Sequence, residues 1–237
     1  MRLLFLVLLS LLCVETSASA QDEEKECESY RDIPVTITPR FDEPTYDYST
    51  DLTELQRLAK DPIHNVHGTH KGLTLGLTRY EPLLEFRIPV KGVKFSNGLA
   101  CAHVDNVDVS FGYKNVVVYV PREVPQGSCG FNQVMAHEQK HIDVNQQILA
   151  EYTPLIKEKL AAFLKANGVF REQDPDYALS LLKEKLQSII NEMGAQMTED
   201  NVRRQQLVDS PEEYRRVSAS CNGQLSVISQ HYMQTGH

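Results

Sequence analysis

Long apolar runs are scarce in this chain of 237 residues. The one extended run, Leu3–Val14, is shorter than the roughly 20 residues that a membrane-spanning helix needs. It follows Met1-Arg2 and precedes the small residues Ala18-Ser19-Ala20, which is the pattern of a secretory signal peptide over residues 1–20. Because no later segment is apolar over such a length, we expect no stable membrane insertion after cleavage; a retained anchor is the alternative.

Positive charge and closely spaced cysteines are also scarce. Lysine and arginine number 24 against 32 aspartates and glutamates, a net charge of −8, so we expect no nucleic acid partner. No CxxC spacing occurs, which argues against a thiolate zinc site and a thioredoxin-like motif. The even number of cysteines after the signal predicts two disulfides. Among three possible pairings we favour Cys101 with Cys129, enclosing a compact β segment, and Cys27 with Cys221, joining both ends.

The patterns after the signal predict an α+β fold. Residues 21–60 are acidic and irregular, with one candidate strand at Pro34–Thr38, and residues 61–237 are expected to form one α+β domain with a helical C-terminal part. Runs rich in Val, Leu, Phe and Thr, separated by turn residues, predict an antiparallel sheet. Its strands are Leu73–Tyr80, Leu83–Val90, Leu99–Phe111 and Asn115–Val120.

Helical patterns follow these strands. One long helix is predicted from Asn132 to Ala166, strained or broken near Pro154. A second covers Pro175–Met193, where apolar residues recur at three- and four-residue intervals. A third begins at Ser210-Pro211-Glu212-Glu213, which has the form of a capping box with proline at the first helical position.

The sequence His137-Glu138-Gln139-Lys140-His141 is an HExxH pattern within the first of these helices. Histidines four residues apart lie on one helix face, so both imidazoles can bind one tetrahedral Zn²⁺. Glu138 is rotated by about 100° from His137 and can act as general base on a water in the open position. The motif therefore predicts a zinc-dependent hydrolase. A solvated helix face with i,i+4 pairs is the alternative.

The third metal ligand must come from outside this motif. Val144 and Gln147 stand where the extended HExxHxxGxxH pattern requires Gly and His, and Ala161 stands where thermolysin-type enzymes carry a glutamate. We favour Asp209, because a short carboxylate at a helix junction can be aimed without helical constraint. Its alternative role is a turn or cap residue. Glu213 and a histidine remain alternative ligands.

Two further groups of residues are candidates for the site. His64, His67 and His70 are predicted to lie in a loop. They have three alternative roles: a second metal site, the missing third ligand, or a solvated or substrate-facing segment. Tyr214 follows Asp209 by five residues and is predicted to stabilise the oxyanion of a hydrolysis reaction. Packing is its alternative role. Other candidates for the oxyanion role are Tyr152, Tyr232 and His231.

Around Val134–Asp143 the sequence resembles the zincin-type metallopeptidases. It is similar to a bacterial secreted domain of unknown function, described as a predicted zinc-dependent protease, in which β strands and a cysteine precede an HExxH helix. The resemblance covers residues 60–215, and Val66-His67-Gly68-Thr69 and the run from Cys101 to Pro121 fit it loosely. That domain's downstream Tyr-Asp-x-x-Thr-x-His-Gly motif is matched only by Val208-Asp209-Ser210-Pro211-Glu212, without the Thr, His and Gly.

The residues and the resemblance together predict a secreted or periplasmic zinc metallopeptidase acting on a peptide or protein substrate. In this hypothesis His137, His141 and Asp209 bind Zn²⁺, Glu138 is the general base and Tyr214 assists catalysis. The competing hypothesis is a catalytically inactive metal-binding or protein-interaction module on a zincin-like scaffold.

Overall fold

The computed structural model describes residues 33–60, 73–95, 98, 100–167, 169–172 and 174–235. The predicted signal peptide, Cys27 and the histidine-rich loop lie outside these residues. The strands are β1 Val35–Phe41, β2 Thr45–Asp47, β3 Leu77–Arg87, β4 Val90–Lys94, β5 Ala100–Val104, β6 Val107–Tyr119 and β7 Val169–Glu172. The helices are α1 Leu52–Ala59, α2 Cys129–Asn167, α3 Pro175–Val208, α4 Pro211–Ala219 and α5 Gln224–Thr235.

Strand β6 is the centre of the larger sheet. β3 pairs with it in antiparallel orientation, whereas β1 and β2 pair with it in parallel. The strands predicted within residues 73–120 pair in antiparallel orientation as expected, but the larger sheet is mixed, because β1 and β2 join it in parallel. The candidate strand at Pro34–Thr38 corresponds to β1, and the remainder of residues 33–60, predicted to be irregular, also contains β2 and α1. β1 and β2 run in the same direction as β6, and parallel strands cannot be joined by a tight turn. About 70 residues, which include α1 and β3 to β5, separate β1 and β2 from their partners in β6. The smaller sheet, in the order β4-β5-β7, is antiparallel throughout.

Two long helices pack on these sheets, so the mixed helix-and-sheet architecture predicted as α+β is confirmed. α2 has 39 residues and continues through Pro154, so the predicted break does not occur. It packs against β1 and α3, and α3 also covers the smaller sheet. α3 extends well beyond the predicted Met193, to Val208. The main apolar core lies between these layers, with members that include Val109, Phe111, Ile148, Leu160, Leu182, Leu186 and Ile190.

The C-terminal helices fold back onto the start of α2. Ser210 caps α4 by accepting a hydrogen bond from the Glu213 backbone N–H, as the capping box predicts. Beyond α4, the Gln224 side chain accepts a hydrogen bond of 3.0 Å from the Gly130 N–H at the first turn of α2. Leu225, at the start of α5, is fully buried beside Gly130. This return brings α4 against the N-terminal third of α2, where Glu213 contacts His137 and Lys140.

A disulfide joins Cys129 to Cys221, with 5.7 Å between their Cα atoms. Both favoured pairings, Cys101–Cys129 and Cys27–Cys221, are therefore wrong. The reason is the folded-back C-terminus, which places Cys221 at the α2 N-terminus, whereas Cys101 lies in β5 and is itself disulfide-bonded. Such bonds are consistent with an oxidising compartment. None of the described helices is long and apolar enough to cross a membrane.

Candidate metal centre

Helix α2 brings His137, Glu138 and His141 together as a buried group that could hold a metal ion. Their exposed fractions are 9%, 2% and 3%. The two rings lie one helical turn apart on the same face, and their Nε2 atoms are 3.3 Å apart. The alternative of a solvated helix face does not apply, because these side chains point into the protein.

Asp209 lies directly against both histidines. It is the C-cap residue of α3, and its Oδ1 atom is 3.2 Å from His137 Nε2 and 3.3 Å from His141 Nε2. Its backbone N–H donates to the Gln205 carbonyl oxygen at 3.1 Å, which fixes the cap relative to the last helical turn. The end of α3 thus supplies an oxygen at the point where the two imidazoles of α2 meet.

These three atoms fit the donor set of a zinc ion. Ligands about 2.0–2.1 Å from a tetrahedral Zn²⁺ lie about 3.3 Å from one another. The distances between the two Nε2 atoms and Asp209 Oδ1 are 3.2, 3.3 and 3.3 Å. Two imidazoles and one carboxylate are also a ligand set that catalytic zinc sites use, with a fourth position left for water or substrate. The residues present therefore fit the metal that the HExxH motif implies.

The imidazole nitrogens on the far side of each ring also have partners. His141 Nδ1 lies 2.6 Å from the Gln205 side-chain oxygen, Oε1. His137 Nδ1 lies 3.5 Å from Glu213 Oε1. Burial lowers the pKa of His141, but the contact with Asp209 and the charge of Glu138 outweigh burial and raise this pKa to about 9.

Glu213 orients the site from outside and does not take the ligand position. Its carboxylate faces Nδ1 of His137, on the opposite side of the ring from Asp209. Lys140 Nζ lies 2.5 Å from Glu213 Oε1, and the Arg216 guanidinium forms two further contacts. The charge-assisted hydrogen bonds from Arg216 and Lys140 hold the pKa of Glu213 well below its usual range. Of the predicted alternatives, Asp209 is thus the carboxylate that faces both Nε2 atoms.

The Glu138 side chain extends from α2 to the start of β3. Thr78, itself 1% exposed, donates a hydrogen bond of 2.8 Å from its hydroxyl to Glu138 Oε2. Burial raises the pKa of Glu138, although the neighbouring His141 and His137 act to lower it. The Glu138 carboxylate therefore has a fixed orientation beside His137 and His141.

Tyr214 lies at the same cavity, on α4. Its ring centroid is 6.1 Å from that of His137. Burial, together with the charges of Asp209 and Glu138, raises the phenol pKa, so the hydroxyl keeps its proton. The other candidates for the oxyanion role lie elsewhere: Tyr152 donates to the Gln196 carbonyl, and Tyr232 and His231 line a different pocket beside α1.

A cavity opens onto these polar groups. Its remaining wall is mostly apolar, formed by Leu73, Leu75, Leu77, Val134 and Val217. The segment before β3 is fastened to α1 by the Gln56 amide, which donates to the Thr74 carbonyl at 2.7 Å and accepts from the Thr74 N–H at 3.1 Å. This apolar wall therefore has a fixed position beside His137, Glu138 and His141.

Within this wall, the backbone of Gly76 packs directly against the Glu138 side chain. A Cβ at this position would clash with Glu138 Oε1 and lie 2.5 Å from Val134 Cγ1. We predict that Gly76→Ala destabilises the protein by about 1–3 kcal/mol through overpacking. It should also lower activity by displacing the Glu138 carboxylate. Chemical denaturation and hydrolysis assays measure the two effects.

Gly194→Ala, in the middle of α3, is the matched control for this substitution. Its new methyl group would meet only the Leu84 side chain, at 3.3 Å, and Leu84 is 41% exposed and able to move. Helix propensity favours alanine over glycine by about 1 kcal/mol, so this variant should keep its stability and activity. Equal losses in both variants would contradict the packing argument at Gly76.

Several residues of the site were not predicted from the sequence. Thr78 lies in β3 and Gly76 directly precedes β3, and no sequence pattern links this segment to the HExxH helix. Asn145 and Gln205 could have been found from the sequence, because each is a polar residue at a position where the helical periodicity predicts a buried side chain. Asn145 is four residues after His141, and Gln205 continues the buried series of α3 at Met197 and Asn201.

Comparison with protein-family profiles, curated proteins and solved structures finds no match to this chain.

Proposed function

We propose that this protein is a secreted zinc-dependent hydrolase, most simply a peptidase. The observation that carries the proposal is the triangle of His137 Nε2, His141 Nε2 and Asp209 Oδ1, with edges of 3.2 to 3.3 Å. Glu138 lies beside this triangle but outside it, where the general base of an HExxH hydrolase is needed. The disulfide between Cys129 and Cys221 and the N-terminal signal pattern support an extracellular or periplasmic setting.

His137, His141 and Asp209 would hold the ion. Bound Zn²⁺ supplies a Lewis acid for the substrate carbonyl and makes water acidic near neutral pH. Glu138 accepts the proton from the attacking water and delivers it to the leaving amine. Thr78 keeps one carboxylate oxygen engaged, so that the carboxylate does not rotate between these two transfers.

The remaining groups bind and orient the substrate. The protonated Tyr214 hydroxyl donates a hydrogen bond to the oxygen that becomes negative as the carbonyl is attacked. The apolar wall, which includes Leu75, Leu77 and Val217, accommodates uncharged groups beside the reacting carbonyl. A peptide with an aliphatic side chain next to the cleaved amide has this chemistry.

Metal content and metal-dependent stability test the proposal. The purified protein should contain about one equivalent of zinc, and removal by a chelator should lower its melting temperature. Free zinc at 100 times its Kd should stabilise the folded state by about 2.7 kcal/mol. A protein that binds no zinc, with a melting temperature indifferent to chelator, would contradict the proposal.

Cleavage of a peptide library separates the enzyme from an inactive module. The zinc-loaded protein should cleave peptides, and the chelated protein should not until zinc is restored. Zinc bound without cleavage of any peptide or protein offered would favour the metal-binding or interaction module.

A further inference from the structure

We infer that Gln205 is a positioning residue, which fixes the ring tautomer of His141 and thereby directs its Nε2 lone pair at the metal position. The inference rests on the proposed metal site. It adds a residue outside the HExxH motif, on the same helix as the third ligand.

Gln205 is fully buried and makes three polar contacts through its side-chain amide. Oε1 lies 2.6 Å from His141 Nδ1. Nε2 donates to the backbone carbonyl of the same residue, His141, at 3.2 Å and to Asn145 Oδ1 at 2.9 Å. One glutamine amide therefore bridges the ring and the backbone of a single histidine.

The carbonyl contact determines which way the amide points. The His141 backbone oxygen can only accept a hydrogen bond, so the amide group facing it must be the donor NH₂. The amide oxygen then necessarily faces Nδ1, and this nitrogen must carry the hydrogen. Reversing the amide would place two oxygens against each other within a site that excludes water, which is costly.

A hydrogen on Nδ1 determines the role of the other ring nitrogen. Metal binding requires the neutral imidazole, which has one N–H and one lone pair, so a hydrogen on Nδ1 leaves the lone pair of His141 on Nε2. Nε2 is the atom that lies 3.3 Å from both Asp209 Oδ1 and His137 Nε2. The backbone-anchored amide thus selects the tautomer that can bind a metal at the shared point.

Gln205 is itself held in place by the core. Asn145, its second acceptor, also accepts from Asn201 Nδ2 at 3.0 Å. The Asn201 amide nitrogen also lies 2.5 Å from the Tyr113 hydroxyl oxygen and 3.3 Å from the Tyr80 hydroxyl oxygen. This chain of hydrogen bonds runs from the sheet to the histidine. It sets the rotation of α3, whose end carries Asp209.

Two substitutions separate positioning from packing. Gln205→Met keeps the length of the side chain but removes the acceptor for Nδ1–H, and should weaken zinc binding by about 10- to 100-fold. Gln205→Glu keeps an acceptor oxygen for Nδ1–H but sets its second oxygen against the His141 carbonyl, so it should bind zinc more tightly than Gln205→Met without reaching the wild-type affinity. Zinc Kd values come from competition with a chelator of known affinity.

A control variant excludes general destabilisation as the cause. Leu186 is also fully buried on α3, within the apolar core. Leu186→Ala should lower the melting temperature while leaving the zinc Kd unchanged. If Leu186→Ala and Gln205→Met weaken zinc binding alike, Gln205 acts only through the stability of the helix and the inference is overturned.

The ring proton of His141 provides a test that needs no variant. In the zinc-loaded wild-type protein, ¹⁵N-detected NMR should show a slowly exchanging Nδ1–H, with the metal on Nε2. Metal coordination through Nδ1, or rapid exchange of this proton, would overturn the inference while leaving the proposed function intact. Failure of the wild-type protein to bind zinc would instead refute the proposed function.

Discussion

Glu138→Gln should reduce peptide hydrolysis by at least about 10²- to 10⁴-fold, the contribution typical of a positioned general base. Glutamine has nearly the same shape but accepts protons poorly, so water attack loses its base. Zinc should remain bound, because the triangle of donors is formed by His137, His141 and Asp209. The glutamine oxygen can still accept the hydrogen bond from Thr78, which preserves the fold of the site. Values of kcat/KM and zinc content of the same samples measure both effects.

Glu158→Gln is the control for this substitution. Glu158 lies on the same helix, but its side chain is exposed to solvent. The variant removes the same charge from α2 and should hydrolyse peptides at the wild-type rate. Full activity in Glu138→Gln would exclude Glu138 as the base, and loss of zinc from it would show that Glu138 contributes to metal binding.

Asp209→Ala should weaken zinc binding by more than about 100-fold, because even outer-shell changes at metal sites cost 10- to 100-fold. Loss of this oxygen leaves two imidazoles, with Glu138 as the α2 carboxylate that remains close to them. Hydrolysis should fall in parallel when zinc is limiting. Competition with a chelator of known affinity measures the Kd, and added zinc should restore part of the activity.

Asp143→Asn is the matched control for the ligand. Asp143 is an exposed carboxylate two residues after His141, where it accepts a hydrogen bond from Gln139 at 2.9 Å. Its substitution should leave the zinc Kd unchanged. An Asp209→Ala variant that binds zinc as tightly as the wild type would show that another group, such as Glu138 or Glu213, completes the site.

The parts of the fold that were predictable depend on local sequence. The spacing of His137 and His141 fixes their common helix face, and the capping box at Ser210 fixes the start of α4. The parallel pairing of β1 with β6 was not predictable, since it joins residues about 70 positions apart, such as Val35 and Val107. The same limit explains the wrong disulfide pairings.

The position of Asp209 was predictable in part, because a helix junction was expected there. The role of Gln205 was missed for a different reason. The apolar periodicity of α3 fades after Met193 and Met197, and polar residues then occupy the buried positions Asn201 and Gln205. A rule that assigns buried helix faces from apolar residues ends the helix too early when that face becomes polar. The buried polar residues Asn201 and Gln205 lie in the part of α3 that leads to the candidate site.

The bond between Cys129 and Cys221 closes a covalent ring with a sequence separation of 92 residues. His137, His141 and Asp209 all fall within this ring. A single peptide-bond cut between the histidines and the aspartate would therefore open the ring without separating the fragments. In an extracellular or periplasmic setting, where proteases are present, the three residues of the proposed metal centre would stay in one covalent molecule after a single nick.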